Sequence, residues 1–159
     1  MSKKKETKKF LREYNPEEDY QQLEEWWSAI GWDPFPSKYL AKGLLVADIC
    51  AGFINLGSTS PMGYIWPVVS NPNSNLRQRD RALDDMIQGL IDMGRESGCD
   101  FIYATTSAPA LAKRYQKRHG MYMADDEIVG LLLPLDANGE SFDSVIQDKY
   151  LPEFNQQEL

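Results

Sequence analysis

The sequence has few of the residues that build metal centres and disulfide frameworks. It contains one histidine and two cysteines, Cys50 and Cys99, in 159 residues. Both cysteines lie in or beside apolar segments, which predicts reduced core thiols, and their spacing is unlike that of zinc ligands. No apolar run approaches the roughly 18 residues of a membrane span, and no signal peptide pattern precedes the first expected strand. These absences predict a cytoplasmic protein with no metal site and no membrane span.

Charge is distributed unevenly along the chain. The net charge is −7, but residues 1–9 hold five Lys and one Glu, a net +4 that leaves −11 on residues 10–159. Such an acidic body argues against a general nucleic-acid-binding function. We expect residues 1–8 to form a solvated, disordered basic arm; contact of this arm with nucleic acid or another acidic surface is the alternative.

The rest of the composition is that of one globular domain, with 42% hydrophobic and 11% aromatic residues. Strand patterns occur at residues 10–14, 43–48, 51–56, 63–70, 100–105 and 128–133. Helices are expected after Asn15-Pro16, ending at Gly31, after Asn75, and after Ser107, ending at Gly120. The pattern predicts an α/β domain with a mixed, largely antiparallel sheet of six or seven strands flanked by helices.

Residues 63–98 carry the main motif. A β-rich run stops at Asn71-Pro72, and an amphipathic helix follows, with Asn75 and Gln78 spaced as a capping box. A strand that runs through a short loop into a helix leaves several N–H groups pointing beyond the strand end, where the helix dipole attracts anions. Pro67 lies inside this strand and has no N–H for a sheet, which predicts a bulge or splay there.

Three arginines, Arg77, Arg79 and Arg81, lie in the first two turns of this helix, where positive charge opposes the dipole. Two explanations are open. The charges are balanced locally by acidic side chains on the same helix, namely Asp80, Asp84 and Asp85. Alternatively, the arginines and the free N–H groups face a bound polyanion such as a nucleotide pyrophosphate.

Residues 77–82 read Arg-Gln-Arg-Asp-Arg-Ala and resemble the acyl-CoA-binding loop of the GNAT superfamily of N-acetyltransferases, Q/R-x-x-G-x-G/A. The first and last positions match, whereas Asp80 stands where the family has a glycine. The segments around residues 49–53, 69–72 and 79–83 resemble a group of GNAT-like proteins common in bacteriophage genomes. The resemblance covers about residues 9–134 and leaves residues 135–159 as a C-terminal extension.

This resemblance implies a GNAT-like fold and acetyl-CoA as cofactor. It implies main-chain contacts to the cofactor from the strand before the loop and further contacts from the loop and the next helix start, through Val68, Val69, Ser70, Arg77, Arg79, Arg81, Ala82 and Ser107. Tyr115 is the implied general acid, although it lies five residues before Gly120 where the family has four. Trp26, Trp27, Trp32 and Phe35 either wall the acceptor pocket or pack in the core. His119, at a helix C-terminus, is expected to be structural and favoured as a cation.

The implied activity is transfer of an acetyl group from acetyl-CoA to an amine of a small molecule or protein. The alternative is a catalytically inactive module of the same fold that binds a partner or serves a structural role in a phage. Asp80, the displaced Tyr115 and the lack of any acidic residue between Gly57 and Ser70 favour this alternative. The extension is a candidate contact for a partner protein, and a phage protein would act in the host cytoplasm or in the virion.

Overall fold

In the computed structural model of the chain, residues 11–124 are described. The chain divides into two compact units, residues 1–122 and 123–159, and every helix and strand described below belongs to the first. None of the described helices has the length and apolar character needed to cross a bilayer.

Five strands form a single sheet in the order β1-β2-β3-β4-β5. They are β1 (Leu11–Glu13), β2 (Lys42–Val46), β3 (Cys50–Leu56), β4 (Met62–Ser70) and β5 (Phe101–Ala104). The first four strands are antiparallel neighbours, and β5 runs parallel to β4. The mixed, largely antiparallel sheet is therefore confirmed, with five strands among the described residues instead of six or seven. The strand expected at 128–133 lies outside those residues.

Three α-helices flank the sheet: α1 (Pro16–Ala29), α2 (Leu76–Glu96) and α3 (Pro109–His119), and a short 3-10 turn spans Ser37–Tyr39. The predicted caps of α1 and α2 are confirmed, since the side chains of Asn15 and Asn75 accept from first-turn N–H groups. Gly31 follows α1, and Gly120 caps α3 with a left-handed φ of 69°. The start of α3 differs from expectation because its cap is Ala108 and not Ser107.

The sheet has a hydrophobic core on each face. One core packs α1 against the sheet, through Leu23, Trp26, Trp27, Leu45, Ala51, Phe53 and Val69. The other packs α2 and α3 against the opposite face, through Leu44, Val46, Cys50, Ile54, Ile65, Ala82, Met86, Ile87, Leu90 and Tyr115. Gly52 allows α2 to approach closely, since a Cβ at this position would lie 2.3 Å from the sulfur of Met86. Burying each large apolar side chain contributes roughly 1.5–3 kcal/mol.

Candidate active site

Strand β4 runs beyond the point where β5 ends. Their last paired residues are Ile65 and Ala104, yet β4 continues to Ser70. Opposite this extension, the register between β3 and β4 shifts between Gly52 and Ile54. The register shift is the bulge predicted at Pro67, and among residues 11–124 no strand pairs with β4 beyond Ile65 on the side of β5. We call this unpaired edge of β4 the gap.

The register shows which main-chain groups face this gap. Asn71 donates its N–H to the carbonyl of Ile49 at 2.8 Å, so hydrogen-bonded pairs with β3 fall at every second residue of β4 before it. Val69, opposite Ala51, is at such a position and turns its N–H and C=O to β3. Val68 and Ser70 turn theirs to the gap. The register thus distinguishes Val69 from Val68 and Ser70, and the cofactor contacts of all three residues stay predictions.

Tyr115 lies on α3 and is buried in the core that α2 and α3 share. Only 5% of it is exposed, and its hydroxyl has no hydrogen-bond partner among residues 11–124. Burial raises the pKa of this phenol well above its usual value, and the neighbouring Tyr64 raises it further. The phenol therefore keeps its proton at any ordinary pH, and it can donate that proton or a hydrogen bond. It cannot serve as a base.

The start of α2 is less open to a ligand than the sequence predicts. The side-chain oxygen of Asn75 accepts from the N–H of Arg77 at 2.9 Å and from the N–H of Gln78 at 3.4 Å. These are two of the N–H groups expected to face an anion. An anion at this helix start would consequently be bound mainly by charged side chains and less by backbone N–H groups.

Arg79 holds the loop that precedes α2. Its Nε donates to the hydroxyl of Ser74 at 2.9 Å, and its terminal nitrogen donates to the carbonyls of Pro72 and Ser74 at 2.9 and 3.0 Å. With these bonds the guanidinium fixes the path from β4 into α2. Its contribution to the site is positional.

Arg77 and Arg81 are exposed and form no ion pair within the described part of the chain. Both line an open pocket of about 500 Å³, together with Leu76, Arg79, Asp80, Leu83 and Arg114. Two uncompensated guanidinium groups beside one helix start form a surface that attracts phosphate groups. This pocket is the candidate anion site.

Two acidic residues of α2, Asp80 and Asp84, are paired with arginines of α3. Arg114 donates to the carboxylates of Asp80 and Asp84, at 2.6 Å each, and Arg118 bonds both carboxylates as well. Hydrogen bonding from Arg114 lowers the pKa of Asp80. The expected local compensation within α2 is therefore wrong for Asp80 and Asp84. We call the set Asp80, Asp84, Arg114 and Arg118 the α2–α3 ionic network.

Ala82 and Ser107 were also predicted to contact the cofactor. The Ala82 side chain is completely buried in the core beneath α2, so the small residue serves helix packing and does not reach the pocket. Ser107 is exposed and precedes the cap of α3, while the hydroxyl of Thr106 accepts from the N–H of Ala108 at 3.0 Å. Neither side chain joins the site that the gap and the pocket define.

Aromatic side chains lie on the α1 face beside the gap. Trp66 meets Phe35 edge to face, with centroids 4.7 Å apart, and stacks on Tyr64 at 6.4 Å with a 17° interplanar angle. The hydroxyl of Tyr64 is 2.6 Å from Oγ1 of Thr105, just past β5. Trp26 and Trp27 are core residues, and Trp32 is 54% exposed. Of the four aromatic residues expected to wall a pocket, Phe35 contacts this cluster through Trp66.

Sequence reasoning missed Arg114, Arg118 and the position of Tyr64. A signal for the arginines was present: α2 carries two acids four residues apart, and α3 carries two arginines at the same spacing. No group of three or more potential metal ligands occurs within residues 11–124.

No protein-family model and no curated protein sequence matches the chain. Solved structures do resemble it. An acetyltransferase from Trypanosoma brucei aligns with a TM-score of 0.54 at 16% identity, covering 77% of this chain and 98% of that one. A GNAT family acetyltransferase from Streptococcus pneumoniae gives 0.52 at 8% identity, covering 78% and 96%. An aminoglycoside N-acetyltransferase in complex with CoA gives 0.56 at 11% identity, covering 78% and 99%. At these identities the likeness establishes the fold, which is that of GNAT acetyltransferases.

Proposed function

We propose that the protein is an N-acetyltransferase that moves an acetyl group from acetyl-CoA to an amine. The observation that supports this most strongly is the gap beside β4, with a buried Tyr115 hydroxyl on the α3 side of the sheet that has no hydrogen-bond partner among residues 11–124. A buried hydroxyl without a partner costs about 1–3 kcal/mol, and a ligand in the gap would remove that cost. The GNAT fold of the solved structures, one of them in complex with CoA, agrees with this proposal.

The residues present fit an acyl-CoA. Val68 and Ser70 would bond the amide groups of its extended arm through their main chains, as an added strand does. Arg77 and Arg81 would hold the phosphates, with Arg114 at the edge of the same pocket. Arg79 would act indirectly, by fixing the loop on which both sets of contacts depend.

When bound, acetyl-CoA supplies an activated thioester. Tyr115 contributes a proton held on its phenol oxygen, in a site where burial keeps the group neutral. Val68 and Ser70 contribute orientation, since the placing of reactants accounts for much of the rate in such transfers. Neither β4 nor β5 carries Asp, Glu or His, and we therefore assign the proton of the attacking amine to water.

The alternative is a module of the same fold without transferase activity. Asp80 supports it, because a carboxylate in the loop would repel phosphate. The α2–α3 ionic network weakens this objection, since two arginines engage the Asp80 carboxylate. A phage origin and a partner protein on residues 135–159 remain proposals that rest on the sequence.

The test is a thermal-shift titration with CoA, followed by thiol release from acetyl-CoA with a panel of amines. CoA at 100 times its dissociation constant should stabilise the protein by about 2.7 kcal/mol. The double variant Arg77→Ala/Arg81→Ala should need much more CoA for the same shift. Arg95→Ala, at the other end of α2, is the matched control and should behave as wild type. No shift at millimolar CoA contradicts the cofactor; CoA binding without transfer to any amine favours the inactive module.

A further inference from the structure

Four aromatic residues form a continuous surface on the α1 face of the sheet; we call Phe35, Tyr39, Tyr64 and Trp66 the aromatic wall. Phe35 links its parts, with its ring 4.7 Å from Trp66 and 6.4 Å from Tyr39, both edge to face. Phe35 also packs against the core beneath α1. Because Phe35 is anchored in this core, the four rings form one surface with a fixed position.

The wall adjoins the gap. Trp66 is the first residue of β4 beyond its last pair with β5, and Tyr64 reaches the end of β5 through its bond to Thr105. Trp66 is 40% exposed and Tyr39 is 43% exposed. The arginine pocket lies at the start of α2, which packs on the opposite face of the sheet. A cofactor bound from the α2 side would leave the exposed part of Trp66 for the second substrate.

Two features of the wall and its strands bear on the basicity of the acceptor amine. The Nζ of Lys38 sits 4.9 Å from the centre of the Tyr39 ring, and a cation there repels other cations. Alkylamines such as a lysine side chain have a pKa of about 10.4, so well under about 0.1% is neutral and reactive at pH 7. With no Asp, Glu or His on β4 or β5, these strands offer no base to deprotonate such an amine.

From this combination we infer that the acceptor is an arylamine, a weakly basic amine attached directly to an aromatic ring that packs on Trp66. This inference rests on the proposed function and names its substrate class. An arylamine is already neutral at pH 7, and its ring matches the wall. In the transfer, the amine nitrogen bonds to the acetyl carbon and the carbon–sulfur bond breaks. The sulfur takes a proton from Tyr115, the amine gives one to water, and Tyr115 is reprotonated from water.

The first experiment measures thiol release from acetyl-CoA with aniline and ring-substituted anilines, a simple alkylamine and kanamycin. The anilines should give kcat/KM at least tenfold above the other two at pH 7. Their kcat/KM should stay nearly flat from pH 6.5 to 8.5, whereas that of the alkylamine should rise about tenfold per pH unit.

The second experiment uses Trp66→Leu, which keeps apolar bulk but removes the flat ring. The KM for the best aniline should rise about three- to tenfold with kcat little changed. Phe101→Leu is the matched control, because Phe101 is an exposed aromatic residue at the far end of the β4–β5 pair; its KM should not change. A normal thermal shift with CoA verifies that each variant is folded.

The outcomes separate the two proposals. Faster transfer to kanamycin or the alkylamine than to any aniline overturns the arylamine inference and leaves the acetyltransferase intact. An unchanged KM in Trp66→Leu overturns the role of the wall. Absence of transfer to every amine, despite CoA binding, overturns both the transferase and its acceptor.

Discussion

At the scale of single residues, a variant of Tyr115 that lacks only the hydroxyl tests a role in catalysis separately from a role in packing. Tyr115→Phe keeps the ring in the core but removes the proposed proton donor, so turnover should fall by roughly 10²–10⁴ while CoA affinity changes little. The melting temperature should stay equal or rise, because the variant no longer buries an unpaired hydroxyl. Steady-state kinetics and a thermal melt of the free protein measure the two effects.

Two results with Tyr115→Phe would contradict these expectations. Undiminished turnover in Tyr115→Phe would show that another group protonates the thiolate. A clear loss of stability would show instead that the hydroxyl has a partner outside residues 11–124.

We expect His119 to make stability depend on pH in the mildly acidic range. The sequence predicted a cation favoured by the helix C-terminus, but burial lowers its pKa, although its Nε2 lies 3.5 Å from Asp84. A lowered folded pKa means that the unfolded chain binds the proton more tightly. The stability that neutral His119 contributes is therefore complete above the unfolded pKa of about 6.5 and declines as pH falls below it.

The melting temperature should accordingly drop between pH 7 and pH 5. His119→Gln should reduce this drop, and the comparison is clean because the chain has no other histidine. Equal pH dependence in both proteins would contradict the assignment. The lowered pKa of Asp80 acts in a separate range, below its ordinary value of 3.8, where stability is lost as that carboxylate is protonated.

At the scale of elements, the α2–α3 ionic network joins two helices that make few other contacts. Arg114 is only 15% exposed, but Asp80 is 42% exposed, so solvent screens part of their attraction. A double-mutant cycle with Arg114→Ala and Asp80→Ala should give a coupling energy of about 1 kcal/mol. The exposed pair Arg95–Asp92 within α2 is the control, and its coupling should be near zero. Denaturant unfolding measures both cycles, and equal coupling would contradict a special role for the network.

Local elements were predictable because their signals are local. The caps at Asn15 and Asn75, the ends at Gly31 and Gly120 and the conflict at Pro67 each depend on a few neighbouring residues. The register of β4 against β3 was not predictable to a single residue. A shift by one residue exchanges the groups that face the gap, so the sequence could not separate Val69 from Val68 and Ser70.

At the scale of the whole molecule, the fold was predictable and the charge pairing was not. Alternating strand and helix patterns specified the layers, and the fold of the solved acetyltransferases agrees with them. The partners of Asp80 and Asp84 lie 30 or more residues away along the chain, where only the three-dimensional packing brings them together. The division into an arm, a domain at 9–134 and an extension remains our proposal.

Because Asp80 pairs with α3, the effect of a substitution at this position depends on residues of another helix. Returning the position to the glycine of the family pattern would remove one carboxylate of a set of two acids and two arginines, and would leave Arg118 with Asp84 alone. The same change would be neutral in a relative that lacks Arg114 and Arg118. The effect of a glycine here thus depends on residues in another helix, which is epistasis. An aspartate at this position can therefore belong to a balanced set of charges, so Asp80 alone is poor evidence for an inactive site.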